Sequence, residues 1–180
     1  AWEFSHNDRM DLAAMGRVWY IECQARANMH DADGLADGIR AVCKVGRENG
    51  YYWRERYNAE GGFGVEKYCE YPANLIRVVQ RFMMGVEYGA QGQVTLAPNV
   101  PAAYWEKGFG QKLAWRGREL EYRFTNTSFS ATYKGRSGLS LSVRLPESWS
   151  KKHPEVKAEG LSLTMDTTNN WAHVQLSVPE

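Results

Sequence analysis

A loop rich in glycine and aromatic residues, over residues 51–70, carries the residue types that suit general acid–base chemistry. Its central segment, residues 53–64, reads WRERYNAEGGFG. Glu55 is flanked by Arg54 and Arg56, whose positive charges would favour an ionised carboxylate if they lie close to it. An ionised carboxylate in a pocket is what a general base needs in order to take a proton from water. We therefore select Glu55 as the candidate catalytic residue.

The same segment supplies candidates for ligand binding. Trp53, Tyr57 and Phe63 provide rings of the kind that stack on the faces of sugars. Its glycines would let the backbone approach a ligand closely. The alternative interpretation is a solvated surface loop in which Glu55 forms ordinary ion pairs, and composition alone does not exclude it.

Three helices are predicted to position this loop. Apolar residues recur at spacings of three and four over residues 10–30, 34–48 and 71–87. Asp33 is placed to cap the second helix, and Pro72 fits the first turn of the third, where no backbone donor is needed. Loops on a rigid helical scaffold are where binding and catalytic groups tend to lie, so the loop is a reasonable place for a site.

The apolar pattern changes from a helical period to a two-residue period near Gly89. Short alternating segments follow, with turn residues between them, at residues 92–96, 112–115, 119–124, 128–133, 139–145, 160–165 and 172–178. Strands at this spacing indicate an antiparallel β-sandwich. The predicted fold is therefore α+β in two parts, a helical domain over residues 1–90 and a β-sandwich domain over residues 91–180.

From Glu55 to Gly64 the chain resembles the late barrel loop of (α/α)6 glycoside hydrolases. That group includes the glucoamylase-like, trehalase-like, processing-glucosidase-like and α-L-rhamnosidase-like enzymes. Their pattern is roughly E-x-Y-N-P-x-T-G-x-G, which Tyr57, Asn58 and Gly64 match. The leading glutamate of the pattern is commonly the general base of an inverting hydrolysis. The resemblance therefore implies that role for Glu55, with the general acid on a segment upstream.

Two further stretches resemble the same enzymes. Residues 16–20, GRVWY, resemble a G-x-W-P-x segment of the preceding inner helix, which implies that Arg17 and Trp19 contact substrate. Residues 94–101 and 113–120 resemble the C-terminal β-domain, with Trp105 as a trailing aromatic residue. The three predicted helices would then be the last hairpins of an incomplete (α/α) barrel, completed by an upstream helical segment or a second chain.

Two functions are compatible with these features. The first is the C-terminal portion of a glycoside hydrolase acting on a carbohydrate substrate. The second is a non-catalytic carbohydrate-binding module, in which tryptophans of the β-domain form a stacking surface: Trp105, Trp115, Trp149 and Trp171.

Composition argues against several other classes of protein. The net charge is +1, and 43% of the 180 residues are hydrophobic, so neither nucleic acid nor a membrane is expected as a partner. No apolar run approaches the roughly 18 residues of a membrane-spanning helix. The four histidines are scattered, and no metal site or cofactor is predicted. The three cysteines are either buried free thiols or include a Cys23–Cys43 bridge.

Overall fold

The computed structural model describes residues 14–58, 60–146, 149, 161–166 and 170–176. The chain has an α+β fold with a few helices and several sheets. It packs into two compact units, Ala1–Met83 and Met84–Glu180. The predicted domains divide at residues 90 and 91, so the second unit begins earlier than the predicted second domain.

Within the described residues, the first unit contains three α-helices, at the places the apolar spacing predicts. They are α1 (Gly16–Asn28), α2 (Ala32–Glu48) and α3 (Glu70–Arg77). The third helix differs from its prediction, because it continues from Val78 to Met83 as a π-helical turn rather than as regular α-helix to residue 87. Residues 10–13 of the first predicted helix lie outside the described part of the chain, and its next two residues, Ala14–Met15, form a β-strand instead.

Asp31, and not the predicted Asp33, caps the N-terminus of α2. Its Oδ1 accepts a hydrogen bond from the backbone N–H of Gly34 at 2.9 Å, and its Oδ2 pairs with Arg26 at 2.6 Å. The helix begins at Ala32, so Asp33 already lies in the first turn. The position of Asp31 also lets it reach Arg26 at the end of α1. The cap therefore ties the two helices together at their connection.

The ion pair at this connection should make the stability of the first unit depend on pH. The hydrogen bond from Gly34 and, second to it, the Arg26 side chain hold the pKa of Asp31 below its usual value. A carboxylate with a lowered folded-state pKa stabilises the fold above its unfolded pKa of about 3.9, and that contribution is lost as the pH falls through the folded-state pKa.

We expect the Asp31→Asn variant to lose less stability between about pH 5 and pH 2 than the wild type, because asparagine keeps the cap without the charge. Thermal unfolding at a series of pH values measures this, with Asp33→Asn as the control. Parallel pH curves for wild type and Asp31→Asn would contradict the role of the ion pair.

The hydrophobic core of the first unit lies between the helices and the π-helical turn. Leu35 and Val78 are fully buried in it. Cys23 is buried in the same core, and burial raises the pKa of its thiol to about 12. All three cysteines are free thiols, so the predicted alternative of a Cys23–Cys43 bridge is wrong. The prediction of buried thiols holds only for Cys23, because Cys43 is half-buried and Cys69 is exposed.

A small antiparallel sheet joins the loop to the start of α1. It consists of β1 (Ala14–Met15), β2 (Arg56–Asn58) and β3 (Gly61–Phe63), in that order. The predicted loop over residues 51–70 thus contains a short β-hairpin, formed by β2 and β3.

The second unit contains eight strands and one short helix within the described residues. In chain order these are β4 (Val86–Tyr88), β5 (Gln93–Leu96), α4 (Ala102–Lys107), β6 (Phe109–Trp115), β7 (Arg118–Phe124), β8 (Phe129–Lys134), β9 (Leu139–Arg144), β10 (Leu161–Asp166) and β11 (Trp171–Leu176). They form a three-stranded sheet, β6-β7-β8, and a five-stranded sheet, β10-β11-β9-β5-β4. A 3₁₀ turn, Ala90–Gly92, lies between β4 and β5. The short helix was not predicted.

The prediction of a wholly antiparallel β-domain is wrong at one pair of strands. β5 and β9 run parallel, with Val94 opposite Leu141, so the five-stranded sheet is mixed. Parallel neighbours need a long crossover connection. The chain between these two strands supplies one, because it contains α4 and the entire three-stranded sheet.

Alternating residues of the strands build the core of the second unit. In β7 every second side chain is buried, and Phe124 is fully buried. β9 has the same pattern, with Leu139, Leu141 and Val143 buried. This two-residue burial is the physical basis of the alternation in the sequence.

Candidate functional site

The predicted site segment is a two-stranded ribbon with paired backbone groups. The backbone N–H of Tyr68 donates to the carbonyl of Trp53 at 2.9 Å, and that of Glu55 donates to the carbonyl of Val65 at 3.0 Å. At the tip of the ribbon, Oδ1 of Asn58 accepts hydrogen bonds from the backbone N–H groups of Glu60, at 3.0 Å, and Gly61, at 3.1 Å. Such an asparagine stabilises a tight turn. The ribbon is therefore a defined platform for its side chains.

Glu55 is held in one orientation on this ribbon. Its Oε1 accepts a hydrogen bond from Nη2 of Arg56 at 3.0 Å, and its Oε2 accepts one from the backbone N–H of Val65 at 3.3 Å. The side chain is 22% exposed. The carboxylate is therefore oriented by its neighbours and still accessible to a small molecule such as water.

Gly64 makes room for this carboxylate. Its φ is +79°, and a Cβ atom at this position would lie 2.8 Å from Oε2 of Glu55. Both the backbone conformation and the space require glycine. The spacing between the glutamate and the last glycine of the resemblance thus has a structural reason in this chain.

Only one of the two flanking arginines contacts Glu55. Arg54 instead forms an ion pair with Glu66 across the ribbon. The alternation of faces along a strand treats the two arginines alike, because each is an immediate neighbour of Glu55. It does not indicate which of them pairs with a residue across the ribbon. The sequence therefore could not decide between Arg54 and Arg56.

Trp53 anchors the ribbon in the hydrophobic core. Its side chain is 7% exposed, and its indole N–H donates to the carbonyl of Val42 at 3.1 Å. A Cβ atom on Gly46 would lie 2.2 Å from the indole ring, so the ring fits against α2 only because residue 46 is glycine. This packing places the Trp53 ring against a helix rather than toward solvent beside Glu55.

The Trp53→Phe substitution should therefore reduce stability. It removes one buried hydrogen bond and part of the ring, and we expect the free energy of unfolding to fall by about 1–3 kcal/mol. Chemical denaturation measures this, with the exposed neighbour Tyr52→Phe as the control, for which the change should be below about 0.5 kcal/mol. Unchanged stability combined with a loss of glycoside binding would instead show that Trp53 contacts substrate.

Tyr57 and Phe63 are half-buried. The hydroxyl of Tyr57 accepts a hydrogen bond from the backbone N–H of Arg54 at 2.8 Å, and its ring lies edge-on to Tyr71 at 5.5 Å. Phe63 lies opposite Arg56 in the β2–β3 register. Both residues thus belong to the ribbon that holds Glu55.

Trp19 belongs to the same aromatic cluster, and Arg17 does not. Trp19 is buried, and its ring lies 6.2 Å from that of Tyr71. Its indole N–H is buried without a hydrogen-bond partner among the described residues. Burial, and to a smaller extent Tyr57, raises the pKa of Tyr71. Arg17 lies on the exposed side of α1.

Three exposed tyrosines at the base of the ribbon are not among the site residues predicted from the sequence. Tyr51, Tyr52 and Tyr68 are the aromatic residues most exposed in this region. Nζ of Lys67 lies 4.9 Å from the centre of the Tyr52 ring. Neighbours in an extended chain point to opposite sides, so a Trp53 packed inward directs Tyr52 outward. Once Trp53 is known to be buried, the sequence therefore predicts that Tyr52 is exposed.

The tryptophans of the alternative stacking surface occupy different environments in the second unit. Trp149 is buried and donates to the carbonyl of Asn126 at 2.7 Å. Trp105 donates to the carbonyl of Val100 at 3.1 Å, and Trp171 stacks on His173. Trp115 lies 5.4 Å from Tyr88. Because Trp149 is buried, these four residues do not form one exposed platform.

Within the residues that the structure describes, no group of three or more potential ligands is arranged to hold a metal ion. No helix in the described segments is both long and apolar enough to cross a membrane. No protein-family model, curated protein or solved structure matches this chain, so the candidate site rests on its own residues and their geometry.

Proposed function

We propose that the chain is the C-terminal portion of an inverting glycoside hydrolase, with Glu55 as the general base. In this proposal the helices of the first unit are the last hairpins of an (α/α) barrel, and the two sheets of the second unit form a C-terminal β-sandwich. The observation that carries the proposal is the Glu55 carboxylate, oriented by Arg56 and Val65 and partly exposed. The resemblance from Glu55 to Gly64 supports the same assignment.

In the proposed reaction, Glu55 takes a proton from a water molecule as the water oxygen attacks the anomeric carbon. The bond from that carbon to the glycosidic oxygen breaks on the opposite face of the sugar. The departing oxygen takes a proton from a general acid, which we assign to an upstream segment or a second chain. Inversion needs room for water between the two carboxyl groups, which are typically about 6.5–9.5 Å apart in such enzymes.

Substrate binding is assigned to the aromatic side chains around the ribbon. Tyr52 and Tyr68 are exposed at its base, and rings of this kind stack on sugars at a small cost in conformational entropy. Phe63, half-buried on β3, is a further candidate contact. The buried Trp19 and Trp53 and the half-buried Tyr57 support the ribbon from the core side. Arg17 remains a candidate contact at the start of α1.

Exposed aliphatic side chains support the proposed partner, an upstream helical segment or second chain. Val18 and Ile21 on α1 and Ile76 on α3 are all exposed. Large aliphatic side chains in solvent mark a contact surface when they lie together. In a complete (α/α) barrel, neighbouring helices would cover them.

The stereochemistry of the product tests this proposal. The chain assembled with the segment that completes the barrel should hydrolyse members of a panel of aryl glycosides, because aryl leaving groups lower the demand on the general acid. Proton NMR should show that the first product has the anomeric configuration opposite to that of the substrate. Retained configuration would rule out a base role for Glu55, and failure of the assembled protein to hydrolyse any glycoside would overturn the hydrolase assignment.

A further inference from the structure

A shallow depression at one end of the three-stranded sheet concentrates positive charge. Its volume is about 740 Å³, and it is formed by the β6–β7 turn and the residues around the end of β8. Four of the residues that line it are basic, and one is acidic: Arg116, Arg118, Lys134 and Arg136, with Glu119. The whole chain has a net charge of only +1, so this charge is local.

Two of these cations have no ion-pair partner in the part of the chain that the structure describes. Arg116 and Arg136 are exposed, and neither forms an ion pair with any residue in the described ranges. The one carboxylate, Glu119, pairs with Lys112 at 2.8 Å. The two free guanidinium groups are therefore available to an anion from outside.

Contacts within the protein fix the shape of the depression in the absence of a ligand. Nη2 of Arg118 donates to Oγ of Ser137 at 2.6 Å, which fixes this guanidinium. Arg116 and Gly117 form the two-residue turn between β6 and β7, with φ values of +45° and +74°. Glycine or asparagine is usual where both φ values are positive, so an arginine at the first position accepts backbone strain. Strained residues of this kind cluster at binding sites.

An aromatic residue lines the same depression. Trp115 ends β6 directly before the turn, and its ring contacts that of Tyr88 at 5.4 Å. Guanidinium groups bind carboxylate and sulfate oxygens through paired hydrogen bonds, and an indole ring suits the apolar face of a sugar. The two chemistries together fit a sugar that carries an acidic group.

We propose that this depression binds an anionic oligosaccharide, with Arg116 and Arg136 on its carboxylate or sulfate groups and Trp115 on a sugar ring. The volume lies in the range of small-ligand sites, about 300–1,000 Å³. The proposal does not depend on hydrolysis at Glu55. A nucleic acid fits less well, because its backbone needs a basic stripe along a whole face and the positive charge here is confined to one hairpin end.

Isothermal titration of the full chain tests the proposal with four probes of similar length. These are an oligogalacturonide, a sulfated oligosaccharide, a neutral gluco-oligosaccharide and a single-stranded oligonucleotide. We expect one or both acidic oligosaccharides to bind, more weakly as salt is raised. Arg116→Gln and Arg136→Gln should each weaken binding about fivefold and the double variant about twentyfold, the scale of exposed ion pairs. Arg144→Gln, an exposed arginine of the same unit outside the depression, is the matched control.

A substitution that is expected to tighten binding separates a direct effect on the binding site from damage to the fold. Glu119→Gln removes the one anionic side chain of the depression and should tighten binding of the acidic probe about two- to fivefold. A damaged hairpin would only weaken it. The proposal is overturned if neither acidic probe binds, if the neutral probe binds equally well, or if the oligonucleotide binds more tightly. Equal affinities of the wild type and the double variant would also overturn it.

Discussion

Replacing Glu55 by glutamine should slow glycoside hydrolysis by the assembled enzyme about 10²–10⁴-fold, the range that general base catalysis contributes. Glutamine keeps the size of the side chain and can still accept the hydrogen bonds from Arg56 and Val65, but it cannot take a proton from water. The effect should appear in kcat, while KM changes little, because the aromatic side chains that are assigned to binding remain. Steady-state kinetics on an aryl glycoside measure both quantities.

The control is Glu66→Gln on the same ribbon. Glu66 is an exposed carboxylate that pairs with Arg54, so its replacement removes an equal charge without touching the proposed base. We expect this variant to retain nearly full activity. A second test is azide added to Glu55→Gly, since azide attacks the anomeric carbon without giving up a proton. A glycosyl azide of inverted configuration is expected.

Full activity of Glu55→Gln would show that the base lies elsewhere. Equal losses in Glu55→Gln and Glu66→Gln would show instead that the ribbon needs its ion pairs for structure. In either case the next carboxylates to test are Glu60 and Glu70, which lie on the tip of the same ribbon and at the start of α3.

Replacing Phe124 by alanine should lower the free energy of unfolding of the second unit by about 3–5 kcal/mol. Phe124 is fully buried, and its ring lies within 6 Å of four other rings: Trp105, Phe109, Tyr122 and Phe129. Truncation removes all four contacts at once and leaves a cavity that the surrounding strands can fill only in part.

Hydrogen exchange of the β7 amides measures this loss directly, because exchange from buried strands reports the opening of the unit that contains them. Phe124→Leu is the matched variant. It keeps most of the volume and should cost less than about 1.5 kcal/mol. Equal protection of the β7 amides in wild type and Phe124→Ala would contradict the central position of this ring.

Local sequence was sufficient for much of the secondary structure, because periodicity reports which face of an element is buried. The three helices of the first unit and the alternating strands β6 to β9 lie where their apolar spacings place them. Gly64 was predicted to let the backbone approach a ligand closely, and the structure shows that the group close to it is the Glu55 carboxylate. These features depend on neighbours within a few residues, and short-range patterns therefore contain them.

Contacts between distant segments were decided only by the tertiary structure. Trp53, close to the candidate base, packs on α2 and belongs to the core, whereas its neighbour Tyr52 is exposed. Asp31 caps α2 in place of the predicted Asp33, because Arg26 at the end of α1 offers Asp31 a second partner. The parallel pairing of β5 with β9 needs a connection that spans a whole sheet. Periodicity identifies a buried face but not the partner that buries it, because that partner comes from elsewhere in the chain.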